Sequence, residues 1–275
     1  MEQKLLQDKT AIITGGGRGI GRTIAQTLAA AGAKVALLGR HPDSLEETAS
    51  AIQAAGGTAV TIACDISDMQ AVPAAIAQVE VALGPIDLLI NNAGIGAGGP
   101  IWEIPAEDWW HVQEVNVLGP FLATQSCLQG MVKRGSGRII NLGSYQGIAP
   151  NSEASPYCTS KAALLRLTDC TALEVEPHGI AVFAISPGFV HTDMTRELEE
   201  MLRAKDPDFE GWDPAWIFPA QDCADLCLRL ASGEADALTG RMIHVRDNLD
   251  EMIANADELI AEDRYALRLT VDLDD

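Results

Sequence analysis

The chain has 275 residues, of which 47% are hydrophobic, and a formal net charge of −20 at pH 7. These values allow one large α/β domain or two small ones. The negative charge argues against nucleic-acid binding, because phosphate contacts need clustered Lys and Arg. No uncharged apolar run reaches the roughly 18 residues of a membrane span, and the polar N-terminus lacks an apolar signal core. We therefore expect a cytoplasmic protein that has no membrane partner.

Six cysteines lie at positions 64, 127, 158, 170, 223 and 227, without a paired C-x-x-C framework or a zinc-type spacing with histidine. We expect reduced, mostly buried thiols and no metal site. Acidic residues crowd segments 197–210 and 247–275. They indicate a solvated surface that aids solubility, with a halophilic or cation-binding role as the alternative.

Short apolar runs alternate with helical patterns along most of the chain. The runs are nearly continuous Val, Ile, Leu and Ala, which is typical of parallel strands buried on both faces. This alternation predicts a single-domain, Rossmann-like, doubly wound parallel sheet of about seven strands with helices on both faces. The predicted strands are 11–14, 35–38, 58–63, 86–90, 138–142, 180–185 and 241–245. The predicted helices are 20–31, 45–54, 69–83, 109–132, 156–176, 193–203 and 219–230.

The pattern is less regular after residue 188. A long irregular segment in a compact domain is usually a lid or disordered, so we expect residues 189–218 to cap the substrate. Trp212, Trp216 and Phe218 would either line an apolar pocket or pack this segment onto the body. An acidic, helical tail is predicted over 247–275, within one domain that spans 1–275.

The first predicted strand leads into the glycine-rich segment Thr14-Gly15-Gly16-Gly17-Arg18-Gly19-Ile20-Gly21, which opens a helix. Glycines let the backbone turn tightly and approach a pyrophosphate at the helix N-terminus. A P-loop is excluded, because no Gly-Lys-Ser/Thr follows. The segment predicts a dinucleotide site, and a flexible loop without a ligand is the alternative.

The second predicted strand ends at Gly39-Arg40, where an acidic residue would hold the adenosine ribose and favour NAD. Arg40 and Arg18 can instead clamp a 2′-phosphate through charge-assisted hydrogen bonds. The pair predicts NADP(H) rather than NAD(H). Asp65, after the third strand, is placed to meet the adenine edge. After the fourth strand, the backbone of Asn91-Asn92-Ala93-Gly94 would line the cofactor.

Tyr157 and Lys161 are four residues apart on a predicted helix and so share one face. A phenol is a poor base at neutral pH, but a nearby ammonium lowers its pKa and allows general acid–base catalysis. Ser144, 13 residues before Tyr157, follows the fifth strand and would donate to a substrate carbonyl. Asn116 is a polar residue in an apolar helix. Tyr-x-x-x-Lys alone is common by chance, and Ser144 at this spacing behind a glycine loop makes it a catalytic candidate.

Over roughly residues 8–246 these motifs resemble the classical short-chain dehydrogenase/reductase family. The resemblance implies an enzyme that moves hydride between nicotinamide and a ketone, aldehyde or secondary alcohol. Tyr157 would exchange a proton with the substrate oxygen, which Ser144 would orient. Lys161 would lower the pKa of Tyr157 and bind the nicotinamide ribose. Asn116 would hold a water that links Lys161 to solvent.

The resemblance also implies the cofactor contacts, with Pro187, Gly188 and Thr192 on the nicotinamide side. A homo-tetramer or homo-dimer is expected through helices 109–132 and 156–176. The segment 244–249 departs from the family, because it lacks the paired glycines that often follow the last strand. The implied cofactor set is Thr14, Gly15, Gly17, Arg18, Gly19, Ile20, Gly21, Arg40, Asp65, Ile66, Asn92, Ala93, Gly94, Tyr157, Lys161, Pro187, Gly188, Val190 and Thr192.

Two alternatives remain at this point. The protein would be an NAD-preferring alcohol dehydrogenase that works in oxidation, or a non-catalytic nucleotide-binding regulator, because fold does not fix function. Ile95, Tyr145 and Gln146 are further candidates for the substrate pocket.

Overall fold

A computed structural model of the protein describes residues 4–268. Their strands form one seven-stranded sheet in the order β3-β2-β1-β4-β5-β6-β7, and every pair of neighbours is parallel. The doubly wound sheet predicted from the sequence is confirmed. The strand order reverses between β1 and β4, which opens a crevice at the carboxyl ends of these strands. The strands are β1 Thr10–Thr14, β2 Lys34–Gly39, β3 Thr58–Ala63, β4 Leu88–Asn91, β5 Gly137–Leu142, β6 Ile180–Ser186 and β7 Met242–His244.

Helices cover both faces of the sheet. Successive side chains of a strand point to opposite faces, and Ile12 and Ile13 of β1 are both fully buried, each in a different core cluster. One cluster packs α1, α2 and α8 against the sheet, and the other packs α3, α5 and α6. The helices are α1 Gly19–Ala30, α2 Pro42–Ala54, α3 Ala71–Leu83, α4 Ala106–Gln113, α5 Gly119–Arg134, α6 Ser155–Val175, α7 Asp193–Lys205, α8 Ala220–Ser232, α9 Leu249–Ala254 and α10 Ala256–Ala261.

The prediction of one regular helix over 109–132 is wrong. A π-helical turn, Glu114–Leu118, lies between α4 and α5, and it carries Asn116. The apolar pattern continues through this turn, so periodicity does not reveal the wider hydrogen-bonding spacing. Such turns are rare and are frequent at functional sites. The last strand is also shorter than predicted, three residues against 241–245.

The acidic tail predicted over 247–275 is helical over Leu249–Ala254 and Ala256–Ala261, and residues 262–268 form turns and irregular backbone. Leu249, Met252, Ala256 and Leu259 of α9 and α10 are buried against the core, and their acidic neighbours face solvent. The remainder of the tail, 269–275, lies outside the described residues. Within residues 4–268, no helix is both long and apolar enough to cross a bilayer. The same residues hold no group of three His, Cys, Asp or Glu side chains arranged for a metal ion.

Candidate active site

The carboxyl ends of the central strands border one cleft of about 530 Å³, a size that suits a small-molecule ligand. His41, which the sequence places next to Arg40, also lines it, as does Ser44, which no sequence motif singled out. The cleft brings together the whole predicted cofactor set, namely Thr14, Gly15, Gly17, Arg18, Gly19, Ile20, Gly21, Arg40, Asp65, Ile66, Asn92, Ala93, Gly94, Tyr157, Lys161, Pro187, Gly188, Val190 and Thr192.

The glycine loop presents the N-terminus of α1 to this cleft. Arg18, at the N-cap, makes no side-chain capping bond, and the first turn contains no acidic residue. The N–H groups of that turn are therefore open to an anion. Gly21 must lack a side chain, because a Cβ there would overlap the carbonyl oxygen of Gly15. This cradle fits the pyrophosphate of a dinucleotide.

Hydrogen bonds of the Thr14 and Asn92 side chains connect the ends of β1 and β4. The Thr14 hydroxyl oxygen accepts hydrogen bonds from the backbone N–H groups of Asn92 and Ala93, at 3.0 Å each. Asn92 Nδ2 donates to the carbonyl oxygen of Thr14 at 2.9 Å. The side chains of Thr14 and Asn92 are thus bonded to the backbone and hold the crevice open. The cleft is therefore lined here largely by backbone atoms.

The polar residues at the adenosine end have different surroundings. Arg40 is exposed after β2. Arg18 Nη1 donates to Asp193 Oδ2 at 2.8 Å, so Arg18 already has an anionic partner. Burial alone would raise the pKa of Asp65, but hydrogen bonds from the hydroxyl and N–H of Ser67 hold that pKa below its usual value. Asp65 is therefore charged at neutral pH, and the local turn that contains Ser67 holds its carboxylate in place.

Ser144, Tyr157 and Lys161 come together at the carboxyl end of β5. Lys161 Nζ donates to the carbonyl oxygen of Leu142 at 2.7 Å and lies 5.4 Å from the centroid of the Tyr157 ring. The Ser144 side chain lies close enough to the Tyr157 phenol to lower its pKa. Ser144 Oγ also accepts from the N–H of Gln146 at 3.2 Å, which fixes its position. The three-residue cluster expected from spacing is present.

Burial controls the ionisation of this cluster. It raises the pKa of Tyr157 to about 12, against the opposing effect of the Ser144 side chain. It lowers the pKa of Lys161 to about 8. Removal from water disfavours the charged form of both groups. The sequence predicted that Lys161 would lower the pKa of Tyr157, but in the structure desolvation raises that pKa and the opposing effect comes from Ser144.

Asn116 joins the loop after β4 to α6. Its Nδ2 donates to the carbonyl oxygen of Ile95 at 2.9 Å and to Ser160 Oγ at 3.0 Å. Its Oδ1 accepts from the N–H of Ile95 at 2.9 Å. Both donor hydrogens are thus used within the protein. The buried side chain fixes the loop beside Lys161, a link that no sequence pattern indicated.

The predicted capping segment, 189–218, packs largely on itself. The rings of Phe189 and Trp212 lie 4.6 Å apart, and Phe218 packs so closely on Gly188 that a Cβ there would overlap its ring. Trp216 is exposed, with the Arg246 guanidinium 5.4 Å above its ring. None of the three aromatic residues predicted for a pocket lines the cleft. The packing interpretation therefore holds for Phe218, which lies against Gly188 and His244 of the body, whereas Trp212 packs within the segment and Trp216 is exposed.

Of the other candidates for the substrate pocket, one lines the cleft and two do not. Ile95 lines the cleft, whereas Tyr145 is exposed and Gln146 half-buried outside the residues that line it. Met194, in the first turn of α7, lines the cleft as well, close to Gly96. The sequence could not identify Met194 as a residue of the cleft, because that requires the position of α7 in space, which the spacing of motifs along the chain does not give.

The comparisons with known proteins agree with this arrangement. Residues 9–203 match the family model of the short chain dehydrogenases. The chain is 35% identical to a short chain dehydrogenase of Pseudocercospora fijiensis, across 93% of this chain and 86% of that protein. It is 34% identical to the 2,3-dihydro-2,3-dihydroxybenzoate dehydrogenase of Bacillus subtilis, across 87% and 95%. A short-chain type dehydrogenase/reductase from Mycobacterium marinum has a crystal structure with a TM-score of 0.79 and 36% identity, across 87% and 94%.

The chain therefore belongs to the short-chain dehydrogenase/reductase family, whose members are oxidoreductases that use nicotinamide cofactors.

Proposed function

We propose that the protein is an NADP(H)-dependent oxidoreductase that interconverts a ketone or aldehyde with its alcohol, with Tyr157 as the general acid–base. The observation that carries this proposal is the cluster of Ser144, Tyr157 and Lys161 at the edge of a cleft whose other walls suit a dinucleotide. A nicotinamide cofactor, when bound, supplies or accepts the hydride.

In the reductive direction, the Tyr157 phenol donates its proton to the substrate oxygen. The Ser144 hydroxyl, held by the N–H of Gln146, donates a hydrogen bond to the same oxygen and orients it. The pKa of Lys161, about 8, lets its ammonium exchange protons near neutral pH. Lys161 would also bind the nicotinamide ribose. Asn116 keeps the loop after β4 in place and would sit beside the water that connects Lys161 to solvent.

The cofactor contacts follow from the walls of the cleft. The first turn of α1 would hold the pyrophosphate. Pro187, Gly188, Val190 and Thr192 lie on the side where the nicotinamide would bind. The position directly after β2 holds the exposed Arg40 and not an acidic residue, which favours a 2′-phosphate over a free ribose diol.

The first test is Tyr157→Phe, which removes one hydroxyl. We expect it to bind NADPH as the wild type does and to lose about 99% or more of turnover, the scale of general acid–base catalysis. Tyr265→Phe is the matched control, because it removes the same hydroxyl from a tyrosine that does not line the cleft. Activity is found first by screening ketones, aldehydes and secondary alcohols with both cofactors at the nicotinamide absorbance. Undiminished turnover in Tyr157→Phe contradicts the mechanism, and cofactor binding without any turnover favours the regulator.

The second test is a titration of NADPH and NADH on the wild type and on Arg40→Asp. We expect the wild type to prefer NADPH and the variant to lose about tenfold or more of NADPH affinity, as hydrogen bonds to charged groups suggest. A wild type that prefers NADH supports the NAD-dependent alternative. An unchanged preference in Arg40→Asp contradicts the phosphate clamp.

We also propose that the protein forms a homo-dimer or homo-tetramer. Phe121 and Val132 of α5 and Leu173 of α6 are large apolar side chains that are exposed, and exposed apolar surface favours association. Light scattering coupled to size exclusion gives the mass in solution. A monomer at micromolar concentration contradicts this part of the proposal.

A further inference from the structure

The glycine loop and the start of α7 meet across the mouth of the cleft. A Cβ placed on Gly19 would lie 3.3 Å from the methyl carbon of Thr192, the residue before α7. The ion pair between Arg18 and Asp193, 2.8 Å long, spans the same gap. All four residues line the cleft. The ion pair therefore lies where the cofactor must pass or bind.

Arg18 is thus occupied by an anion that belongs to the protein. Asp193 Oδ1 also accepts a hydrogen bond from Arg196. This bond, together with the charge of Arg18, holds the pKa of Asp193 below its usual value, so the carboxylate is charged at neutral pH. The Arg18 side chain is 60% exposed, which leaves it free to change partner.

We propose that Asp193 is a specificity-determining residue, which competes with the 2′-phosphate of the cofactor for Arg18. This inference rests on the proposed function, in which Arg18 and Arg40 hold that phosphate. NADPH and NADH differ only in the 2′-phosphate, so an interaction that occupies Arg18 changes their relative affinity.

The expected size of the effect follows from the exposure of the pair. Exposed ion pairs contribute up to about 1 kcal/mol, which corresponds to about a fivefold change in affinity. Asp193 therefore moderates a preference for NADPH and does not reverse it.

The experiment compares Asp193→Asn with the wild type by titrating NADPH and NADH without substrate, using nicotinamide fluorescence. We expect the Kd of NADPH to fall by about two- to fivefold relative to the Kd of NADH. The matched control is Glu153→Gln. Glu153 pairs with Lys205 at the other end of α7, at 2.7 Å, so this variant removes the same charge and loosens the same helix without touching Arg18. Its NADPH-to-NADH affinity ratio should equal that of the wild type.

A second arm isolates Arg18. In an Arg18→Gln background, Asp193→Asn should leave the NADPH-to-NADH ratio unchanged, because the contested cation is gone. An equal shift in Asp193→Asn and Glu153→Gln, or a shift that persists without Arg18, overturns the inference. A wild type that prefers NADH contradicts the proposed cofactor but not the competition, which the variants still measure through the Kd of NADPH.

Discussion

Two regions of the molecule are held in place by different interactions. One is the wall of the cleft, made by the ends of β1, β4 and β5 with the π-helical turn Glu114–Leu118 and α6, and the other is the cap, residues 189–218. In the wall, Asn116 and Lys161 are buried and hydrogen-bonded to the backbone. In the cap, α7 contains no buried residue, and exposed ion pairs hold both of its ends. The wall therefore holds the cluster of Ser144, Tyr157 and Lys161 in a fixed geometry, whereas the cap can move at little cost in free energy.

The contrast has an energetic basis. Removing one partner of a buried hydrogen bond costs about 1–3 kcal/mol, since the other partner stays unsatisfied. Exposed ion pairs contribute less than about 1 kcal/mol. Substitutions in the wall should therefore change the stability of the whole domain, and substitutions in the cap should change its local opening.

The largest effect is expected from Lys161→Met, and it depends on pH. The pKa of Lys161 is about 8 in the folded protein and 10.5 as its reference. Between these values the unfolded chain binds a proton that the folded protein does not, so stability rises with pH. The free energy of unfolding of the wild type, relative to Lys161→Met, should increase by about 3 kcal/mol from pH 7 to pH 10.5.

Urea denaturation at a series of pH values measures this difference. Lys133→Met is the control, because the Lys133 side chain is exposed on α5. A difference between wild type and Lys161→Met that stays flat over this range would mean that burial does not control the charge of Lys161.

Asn116→Ala should have the next largest effect. The substitution leaves the N–H and carbonyl of Ile95 without their partner, and we expect a loss of about 2 kcal/mol in the free energy of unfolding. Asn151→Ala, at an exposed asparagine, should cost less than about 0.5 kcal/mol. Equal losses in the two variants, measured by urea denaturation, would show that the Asn116 bonds do not stabilise the wall.

The smallest effect on global stability is expected in the cap, from Arg246→Ala. The Arg246 guanidinium lies 4.5 Å from the centroid of the Phe218 ring and donates to the carbonyl oxygen of Ala215. Stability should change by about 1 kcal/mol or less. The amide of Phe218, bonded to the Phe189 carbonyl oxygen at 2.8 Å, should exchange with deuterium about fivefold faster.

Arg229→Ala is the control for this change, because the partners of Arg229 are Glu234 and Asp250, outside the cap. It should leave the exchange of the Phe218 amide as in the wild type. Accelerated exchange in both variants would point to a general loss of stability, and unchanged exchange in Arg246→Ala would refute its role in holding the cap.

Local patterns in the sequence were sufficient to predict the sheet, the glycine loop and the proximity of Ser144, Tyr157 and Lys161. Strands buried on both faces require continuous apolar runs, and a helix places Tyr157 and Lys161 on one face whatever surrounds it. The capping segment was predicted from its irregularity. The packing of Trp212, Trp216 and Phe218 was left open between two interpretations, because a ring's partners depend on how the segment folds back.

The sequence by itself determined which residues we propose for the chemistry, since motif spacing within one element is a local property. Only the tertiary structure decided their states. Asn116, in the π-helical turn, is hydrogen-bonded to Ile95, 21 residues away in the sequence. Arg18 forms an ion pair with Asp193, which is 175 residues away in the sequence. The pKa of Tyr157 rises because burial in the folded chain removes water from it. Burial and long-range pairing depend on distances in space, which residue spacing along the chain does not encode.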